Sequence, residues 1–501
     1  MSVVITLLVV APLVAAGLNM ALWRRVRIQQ IVGSSVLTAM LIGSLALLRH
    51  VTTHDPVVVE LGAWSAPLGI VLVADVFSAM LLVVAMATLL AVFVYAVGQP
   101  RADKGAFYFH SLYLILATGV AGSFLAGDLF NLFVGIEITL TSSYVLITLG
   151  GRKEQVRSGM TYVIINLLAS TLLLVSIGLT YAATGTVNMA DAAQKLDLIP
   201  NGVHQGIGAL MLIAFGLKAA IFPLFFWLPD SYPTAPVTVT AVFAGLLTKI
   251  GMYGIIRTQT LMFPMEGNSL MLLLGLAGAT MVVGAIGALA QNDMKRLLSF
   301  SIVSQIGYIL FGLGINTSIG VAGAIFFLLH QIPVKTSLFL VAGLVETVSG
   351  SASLDKVSGL MRRSPFTAAM FALSGLSLIG LPPLSGFFGK LALVEAGISS
   401  RNWTVTALSL VVSLLTLMYL TKVWSQMFWG EPSQPEQIRL GDGRVFELPD
   451  RAPRMMNAAT LGLVGVTLVL AVAVEPIWSM CTQASGELLD PQFYIQAVLG
   501  S

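Results

Sequence analysis

The sequence predicts an all-α membrane protein that crosses the lipid bilayer about fourteen times. Of the 501 residues, 57% are hydrophobic and only 10% are charged, whereas charged residues make up roughly 25% of an ordinary soluble domain. The 48 glycines and 20 prolines are scattered through the apolar stretches, as is usual in membrane helices. The composition therefore excludes a soluble enzyme, a disordered chain and an all-β fold.

Fourteen apolar stretches are long enough to cross the hydrocarbon core, which takes about 20 helical residues. The longest polar stretch, 430–455, is rich in charge, proline and glycine and predicts a cytoplasmic loop before the last helix. The predicted helices lie at 2–22, 30–48, 68–97, 106–124, 128–149, 158–182, 205–228, 236–257, 268–290, 297–315, 318–348, 366–398, 403–429 and 456–478.

The distribution of lysine and arginine predicts which side of the membrane each loop faces, because these residues concentrate in cytoplasmic loops. If the first helix begins outside, 17 of the 26 basic residues fall in cytoplasmic loops and 4 lie on the opposite side or at helix ends. The sequence therefore predicts that both termini lie outside. The cytoplasmic residues are Arg24, Arg25, Arg27, Arg101, Lys104, Arg152, Lys153, Arg157, Lys295, Arg296, Lys356, Arg362, Arg363, Arg439, Arg444, Arg451 and Arg454.

Several kinds of chemistry have no support in the sequence. Cys481 is the single cysteine, so there is neither a disulfide nor a cysteine cluster for zinc, haem or an iron–sulfur centre. A GxxxxGK[ST] phosphate-binding loop is also missing. The net charge of +3 is small and does not favour nucleic-acid binding. We therefore expect no cofactor, no bound metal and no ATP hydrolysis.

Ionisable side chains inside the predicted helices are the main functional signal. Glu137 lies about 13 Å along its helix from Asp128, near the middle of a hydrocarbon core about 30 Å thick. Lys218 and Lys249 are similarly central in their helices. A charge at this depth costs at least about 2.5 to 3.5 kcal/mol, so it is retained where it faces a partner, a cavity or an ion path. The alternative is a structural ion pair, or a lysine that reaches the membrane interface.

The residue types favour proton transfer over structural pairing. Apart from Arg257, at the end of its predicted helix, the lysine or arginine residues that fall within the predicted helices are five lysines. A buried lysine can release its proton when a nearby carboxylate moves or is neutralised, whereas arginine stays charged. Buried ion pairs also stabilise a protein poorly compared with apolar packing. The pattern therefore predicts a proton path. The five residues are Lys218, Lys249, Lys335, Lys390 and Lys422.

Prolines next to these residues predict helix breaks. Proline cannot donate a backbone hydrogen bond, so it leaves a polar carbonyl group that a neighbour or water must satisfy. Broken helices at corresponding places in two halves of a transporter point to ion sites, although an ordinary kink is the alternative. The expected breaks are at Pro223, beside Lys218; at Pro333, beside His330; and at Pro382 and Pro383, before Lys390.

Hydroxyl and amide side chains within the helices could complete a proton path together with water. The same side chains also hold membrane helices together, and this packing role is the favoured alternative for each of them. The candidates are Ser142, Ser143, Thr248, Ser301, Ser304 and Gln305.

Four motifs in order along the chain resemble a known family. Together with Glu137, they look like the antiporter-like subunits shared by respiratory complex I and Mrp-type multisubunit sodium/proton antiporters. The LPDSYPTAP sequence, the lysine that closes GFFGK and a length near 500 residues are most similar to the D subunits of the Mrp type. The motifs are FPLFFWLPDSYPTAPVTVTAVFAGLLTKIGMYGIIR (222–257), QNDMKRLLSFSIVSQIGYI (291–309), HQIPVKTSLFLVAG (330–343) and GLPPLSGFFGKLALVEAG (380–397).

The resemblance implies an architecture. Three N-terminal helices in 1–105 precede two inverted five-helix repeats, at 106–260 and 268–429, and each repeat contains a broken helix. The loop at 430–455 then leads to a C-terminal transmembrane helix and tail at 456–501.

The resemblance also implies residue roles. One departure from the family matters, because many relatives carry histidine where this chain has Gln305, so one titrating group is replaced by an amide that can bridge water. Lys422, Glu346 and Glu395 have no assigned role. The implied proton path comprises the pair Glu137 and Lys218, the central Lys249, the connecting His330 and Lys335, and the terminal Lys390.

From the resemblance we expect a proton-translocating subunit in the bacterial plasma membrane. It would exchange cytoplasmic sodium for external protons together with subunits of the A, B, C, E, F and G types, as part of a secondary transporter and not as an enzyme. One alternative is a proton-pumping subunit of complex I or of a membrane-bound hydrogenase, driven by electron transfer in its partners. Another is a scaffold that transports nothing. The sequence does not indicate where sodium crosses.

Overall fold

A computed structural model describes residues 1–99, 108–433, 438–439, 445–446, 448–449 and 451–500. Arg101, Lys104 and Arg444, which contribute to the predicted orientation, lie outside the described residues, as does part of the predicted loop at 430–455.

The described chain is almost entirely helical, with two short antiparallel hairpins, β1 with β2 and β3 with β4. In chain order the elements are α1 (Ser2–Ala21), α2 (Val26–Val51), β1 (Val57–Glu60), β2 (Val71–Ala74), α3 (Val76–Gly98), α4 (Phe109–Leu125), α5 (Leu129–Thr148), α6 (Lys153–Thr184), α7 (Met189–Leu196), α8 (Asn201–Ala219), α9 (Trp227–Ser231), α10 (Val237–Val242), α11 (Thr248–Leu261), α12 (Asn268–Leu289), α13 (Met294–Ile315), α14 (Ser318–Ser349), α15 (Leu360–Arg363), α16 (Pro365–Ile379), α17 (Ser385–Ser399), α18 (Trp403–Val423), β3 (Ile438–Arg439), β4 (Val445–Phe446), α19 (Arg454–Val472), α20 (Val474–Leu489) and α21 (Pro491–Leu499).

The predicted all-α membrane fold is confirmed. Within the described residues, twelve helical segments are long and apolar enough to cross a membrane, and α4 and α16 are shorter apolar helices. These fourteen correspond in order to the fourteen predicted helices. One of the twelve is the continuous segment Val237–Leu261, in which α10 and α11 are joined by a π-helical turn at Phe243–Leu247.

Several predicted boundaries were wrong. The predicted helix 68–97 includes strand β2, which ends at Ala74. Helix α3 begins only after Asp75, which caps the helix by accepting a hydrogen bond from the Ser78 amide. The prediction 456–478 is too long because α19 ends at Val472. Residues beyond it, expected to be a tail, form α20 and α21.

The two halves of the bundle share an aspartate that caps the N-terminus of a helix. Asp128 caps the N-terminus of α5 and Asp293 caps that of α13, each accepting a hydrogen bond from a backbone amide in the first turn. Each cap pairs with the loop after the next helix, Asp128 with Asn188 and Asp293 with Ser353. Such caps satisfy amides that would otherwise be orphaned at a helix start. The order of elements from α4 to α11 therefore parallels that from α12 to α18.

The most buried part of the bundle is its centre. The most apolar stretches of segment Val237–Leu261 and of helix α14 are entirely buried, and that of α13 is almost entirely buried. By contrast α1, α2 and α18 expose many apolar side chains, which suits contact with lipid or with another membrane protein. Helix α14 packs against α3, α10, α13, α16, α17, α19 and α20 and so joins the two halves.

The predicted helix break at Pro333 is wrong. Helix α14 runs without interruption from Ser318 to Ser349 with Pro333 inside it. A buried helix tolerates proline because its neighbours support it on all sides and only one backbone hydrogen bond is lost.

Close packing of α12 on α13 depends on glycine. A methyl group added at Gly284 would lie 2.7 Å from the Cα atom of Ser304, which is closer than atoms can approach. We expect Gly284→Ala to push the helices apart and to destabilise the protein by about 1 to 3 kcal/mol, as overpacking usually does. Thermal unfolding in mild detergent measures the effect. Gly275→Ala in the same helix is the control, because nothing lies within 4 Å of its added methyl group. Equal unfolding temperatures for both variants would show that the contact between α12 and α13 does not require glycine at 284.

Candidate proton-transfer site

Six ionisable side chains of the predicted path lie on five helices. Five of the six are almost fully buried, with exposures of 0 to 7%, and the Glu137 side chain is 26% exposed. They are Glu137 on α5, Lys218 on α8, Lys249 on α11, His330 and Lys335 on α14, and Lys390 on α17.

A serine that was not predicted from the sequence joins the first two residues. The Ser170 hydroxyl, on α6, donates to Oε1 of Glu137 and accepts a hydrogen bond of 2.9 Å from Nζ of Lys218. The direct distance between Lys218 Nζ and Glu137 Oε1 is 3.9 Å, too long for a hydrogen bond. Ser170 is therefore the link between the two charges. Ser170 gave no signal in the sequence, because α6 contains other serines and serines in membrane helices usually serve packing.

Lys218 lies at the end of a helix that stops inside the protein. Helix α8 ends at Ala219, and Ala220 takes a left-handed conformation with φ of 59°. Pro223 lies in the non-helical segment that follows, before α9. The indole Nε1 of Trp227 donates to the freed carbonyl group of Leu217 at 3.0 Å. The remaining carbonyl groups of a helix C-terminus carry partial negative charge and favour a nearby cation.

A small cavity connects Lys218 to the helix of Lys249. Its lining includes Lys218, Asn166 and Tyr162 on one side and Leu247 and Gly251 on the other. It offers about 20 Å³ of space for the centre of a water molecule, which is enough for about one water. The cavity can therefore hold a proton carrier beside Lys218, next to the start of the helix that carries Lys249.

Lys249 binds a backbone carbonyl group. Its Nζ donates to the Ala244 oxygen at 2.5 Å, and Ala244 lies in the π-helical turn Phe243–Leu247. Such turns are frequent at functional sites. The wider turn was not visible in the sequence, because the apolar pattern continues through it.

His330 and Lys335 occupy the uninterrupted helix α14. Lys335 donates to the Ser301 hydroxyl on α13 at 2.6 Å, and Nδ1 of His330 is 2.9 Å from the Ser385 hydroxyl on α17. The charges of Lys249 and Lys390 both act on Lys335. Lys335 is therefore close enough to both lysines for their charges to influence it.

Lys390 repeats the arrangement at Lys218. Helix α16 ends at Ile379, Pro382 and Pro383 lie in the gap, and α17 begins at Ser385. Lys390 Nζ donates to the Ile379 carbonyl group at 2.9 Å and to the Ser413 hydroxyl at 3.1 Å. It also lies 4.9 Å from the centre of the Tyr308 ring. The break in the helix thus supplies an acceptor for Lys390, whereas the acceptor of Lys218 is the Ser170 hydroxyl.

Four of the six hydroxyl and amide side chains predicted to support the path divide into two groups. Ser142 donates to backbone carbonyl groups of its own helix, and Ser304 donates to the Met281 carbonyl group of α12. By contrast, the Thr248 hydroxyl and both polar atoms of Gln305 are buried and have no hydrogen-bond partner within the described residues. Gln305 lies beside the Tyr419 hydroxyl, which also lacks one. Buried polar groups need partners, so these three positions suit bound water.

The three residues without an assigned role have distinct surroundings. Lys422 donates to the carbonyl groups of Leu289 and Gln291 and so caps the end of α12. Glu346 forms a 2.6 Å ion pair with Lys295. Glu395 is exposed on α17.

The lysines of the site can gain and lose protons because their hydrogen-bond acceptors are uncharged. The acceptors of Lys249, Lys335 and Lys390 are carbonyl and hydroxyl oxygens, so each amine can be neutral or charged without leaving a carboxylate unpaired. Across the described residues, no group of three or more histidine, cysteine, aspartate or glutamate side chains could hold a metal ion.

Residues 126–416 match the family model described as NADH:quinone oxidoreductase/Mrp antiporter, transmembrane. The chain belongs to this family. A curated relative from Alkalihalophilus pseudofirmus, a Na(+)/H(+) antiporter subunit of the D type, is 42% identical over 475 residues, which is 94% of each chain.

Two solved structures have a fold similar to that of this chain. A chain of the Mrp complex from Dietzia sp. is 34% identical, with a TM-score of 0.92 and full coverage of both chains. A chain of an archaeal membrane-bound sulfane sulfur reductase is 27% identical, with a TM-score of 0.91 over 99% of this chain and 100% of that chain. The family segment 126–416 contains all six ionisable residues of the candidate site.

The Ser170 bridge can be tested by removing its hydroxyl. A hydrogen bond to a charged group contributes about 1.5 to 3 kcal/mol. We therefore expect Ser170→Ala to slow proton movement through the protein by roughly ten- to a hundredfold, at about tenfold per 1.4 kcal/mol. Proton flux into vesicles measures this. Ser176→Ala is the control, since the Ser176 hydroxyl bonds only its own helix at Leu173. Unchanged flux in Ser170→Ala would show that the two charges communicate without this hydroxyl.

Proposed function

We propose that this chain is the proton-translocating subunit of a multisubunit sodium/proton antiporter. The observation that carries the proposal is the set of titratable groups inside the bundle, from the Glu137–Ser170–Lys218 bridge to Lys390. The name of the A. pseudofirmus relative, a sodium/proton antiporter subunit, supports the same function.

Proton transfer begins at the bridge. When Glu137 takes up a proton, it loses the charge that attracts the Lys218 ammonium group across Ser170. Lys218 then passes its proton to water in the cavity beside Leu247 and Gly251. From this cavity the proton reaches the helix that carries Lys249.

Repulsion between lysines carries the proton onward. Two positive charges in a medium of low dielectric repel strongly, so protonation of Lys249 favours release of a proton from Lys335, and Lys335 acts in turn on Lys390. His330 lies between these lysines, and the charges of both Lys335 and Lys390 act on it. The driving force is the membrane potential, which supplies about 2.3 kcal/mol per charge for each 100 mV.

The protein works with partners in a secondary transporter and performs no covalent chemistry of its own. The similar Dietzia chain belongs to an Mrp complex, and we infer that subunits of the A, B, C, E, F and G types assemble with this chain. The apolar side chains exposed on the outer helices suit such contacts or lipid. The same inference places the protein in the bacterial plasma membrane.

We further propose that the two halves are inverted repeats, at 106–260 and 268–429, with 1–105 and 456–501 flanking them. Each repeat crosses the membrane five times, and an odd number of crossings starts the second repeat on the opposite side from the first. The matching Asp128 and Asp293 caps support this relation. With the basic loops in the cytoplasm, both termini lie outside.

A redox-driven pump is the second candidate. The sulfane sulfur reductase chain, from a respiratory complex, has nearly the same fold. Sequence identity favours the antiporter, because the chain is 42% identical to the A. pseudofirmus antiporter subunit and 27% identical to the reductase chain. Copurification with iron–sulfur or flavin proteins would support the redox-driven pump, and copurification with small hydrophobic subunits alone would exclude it.

The proton path is tested by neutralising its first pair. We expect Glu137→Gln and Lys218→Ala each to abolish sodium-dependent proton movement in everted vesicles, followed with a pH-sensitive dye. The reason is that neither variant can pass a proton across the Ser170 bridge.

Glu154→Gln is the matched control, because Glu154 is an exposed carboxylate at the start of α6. Assembly of the complex is checked for every variant. Near-normal exchange in a correctly assembled Glu137→Gln complex would refute the proposed function.

The orientation has its own test. Alkaline phosphatase, which is active only outside the cytoplasm, should be active when fused after residue 500, and a fluorescent protein fused there should be dark. Fusions in the loop at 430–455 should give the reverse result. The same activity at both positions would mean that the predicted number of crossings is wrong.

A further inference from the structure

A second buried polar cluster lies at the far end of α11 from Lys249. We call it the Arg257 cluster: it comprises Asp75, Tyr253, Arg257, Glu487 and Tyr494. The C-terminal helices cover it, with α20 packed against α3, α11 and α14 and α21 packed against α7. In the proposed orientation this is the external face.

An ion pair forms the centre of the cluster. Arg257 Nη2 lies 2.5 Å from Oδ2 of Asp75, and the two side chains are only 4% and 5% exposed. The guanidinium group is 5.6 Å from the ring centres of Phe77 and Tyr253 and 5.1 Å from that of Tyr494. The sequence places Arg257 only at a helix end, because Asp75 and Tyr494 lie far from it along the chain.

Three polar atoms of the cluster have no hydrogen-bond partner among the described residues. They are Nε of Arg257, the Tyr494 hydroxyl and Oε2 of Glu487. Arg257 and Tyr494 are each only 4% exposed. Buried polar groups of this kind are ordinarily satisfied by bound water. The cluster is therefore suited to hold water within the protein.

Glu487 is the titratable group of the cluster. Its Oε1 accepts a hydrogen bond of 3.0 Å from Gln483 on the same helix. Burial, followed by the negative charge of Asp75, raises the pKa of Glu487 to about 7. A group with a pKa near the working pH both takes up and releases protons efficiently.

We propose that Glu487 is the external proton-exchange residue of the transporter and that the Arg257 cluster conducts protons between it and Lys249. This inference rests on the proposed function. The Glu487 carboxylate takes a proton from external water and gives it to water held by Tyr494 and Arg257. The carboxylate is thereby restored, and the proton continues toward the Lys249 amine, eight residues or about 12 Å along α11.

Asp75 keeps this route open. A lone arginine would repel an incoming proton, but the adjacent carboxylate neutralises its charge. Asp75 also caps α3 through Ser78, so the ion pair is fixed in position. We therefore assign Asp75 and Arg257 as positioning residues.

The surroundings identify Glu487 as the source of any pH response near neutrality. Asp75 and Arg257 are the charged groups that act on it, and the tyrosines Tyr253 and Tyr494 are its other titratable neighbours in the cluster.

The remaining parts of the helices packed against α20 contribute few titratable or charged side chains. Helix α3 contains only Tyr95, near its far end, and α14 has no titratable side chain before His330. Helix α19 has only Arg454, at its far end. Asp490, between α20 and α21, is exposed and accepts a hydrogen bond from the Gln492 amide.

The test compares Glu487→Gln with the native complex in right-side-out vesicles, where external pH sets the pH at this face. We expect sodium efflux coupled to proton uptake to fall about tenfold in Glu487→Gln near external pH 8. A positioned acid–base group contributes a factor of about 10² to a chemical step. The loss expected here is smaller because water still carries some protons to the cluster. The loss should shrink near pH 6, where protons are abundant. Glu487→Asp, which still titrates, should keep most of the activity.

Glu475→Gln is the matched control, because Glu475 is an exposed carboxylate on the same helix. A rate and pH profile for Glu487→Gln equal to those of the native complex would overturn the inference. The inference would also be overturned if Glu487→Gln and Glu487→Asp lost transport activity equally at every pH. That result would indicate that Glu487 has a structural role. If Glu487→Gln fails to assemble, Tyr494→Phe takes its place and should show the same pH-dependent loss.

The failure of this inference can be told apart from failure of the proposed function. If Glu137→Gln abolishes exchange and Glu487→Gln does not alter it, only the assignment of Glu487 is wrong. If neither variant affects exchange, the proposed function itself is wrong.

Discussion

The structure depends on the cost of holding an amine inside an apolar bundle. Each buried lysine needs an oxygen atom to accept its hydrogen bonds, and regular helices have no free carbonyl groups to offer. At Lys249 and Lys390 the chain meets this need with carbonyl groups of irregular backbone, whereas Lys218 and Lys335 bind serine hydroxyls. Lys218 lies at the end of α8, Lys249 binds a carbonyl group of a π-helical turn, and Lys390 binds the last carbonyl group of α16. The irregular backbone and the buried charges are therefore parts of one arrangement.

The sequence predicted the features that have an intrinsic cost. A lysine or glutamate deep in an apolar stretch is rare, so Glu137, Lys218 and Lys249 could be singled out without a structure. Prolines at 223 and 382–383 likewise lie where helices α8 and α16 have ended. The fold class followed from composition and from the length of the apolar stretches.

The sequence could not predict features that depend on tertiary contact. Ser170, Ser385 and Ser413 bind titratable residues, but a serine in a membrane helix costs little and most serve packing. Pro333 shows the opposite error, because a proline that disrupts an isolated helix is accommodated when neighbouring helices surround it. The ion pair of Arg257 with Asp75 joins residues 182 positions apart, and a single sequence holds no record of such a distance.

The continuity of α14 determines which parts of the path can change their separation. His330 and Lys335 share one unbroken, fully buried helix, so their backbones stay about 7.5 Å apart along its axis. The groups on either side of them are attached to interrupted or widened helices, which deform more readily. For the proposed path we therefore expect variation in distance to be concentrated at the junctions from Lys335 to Lys249 and from His330 to Lys390, with α14 as the stationary element between them.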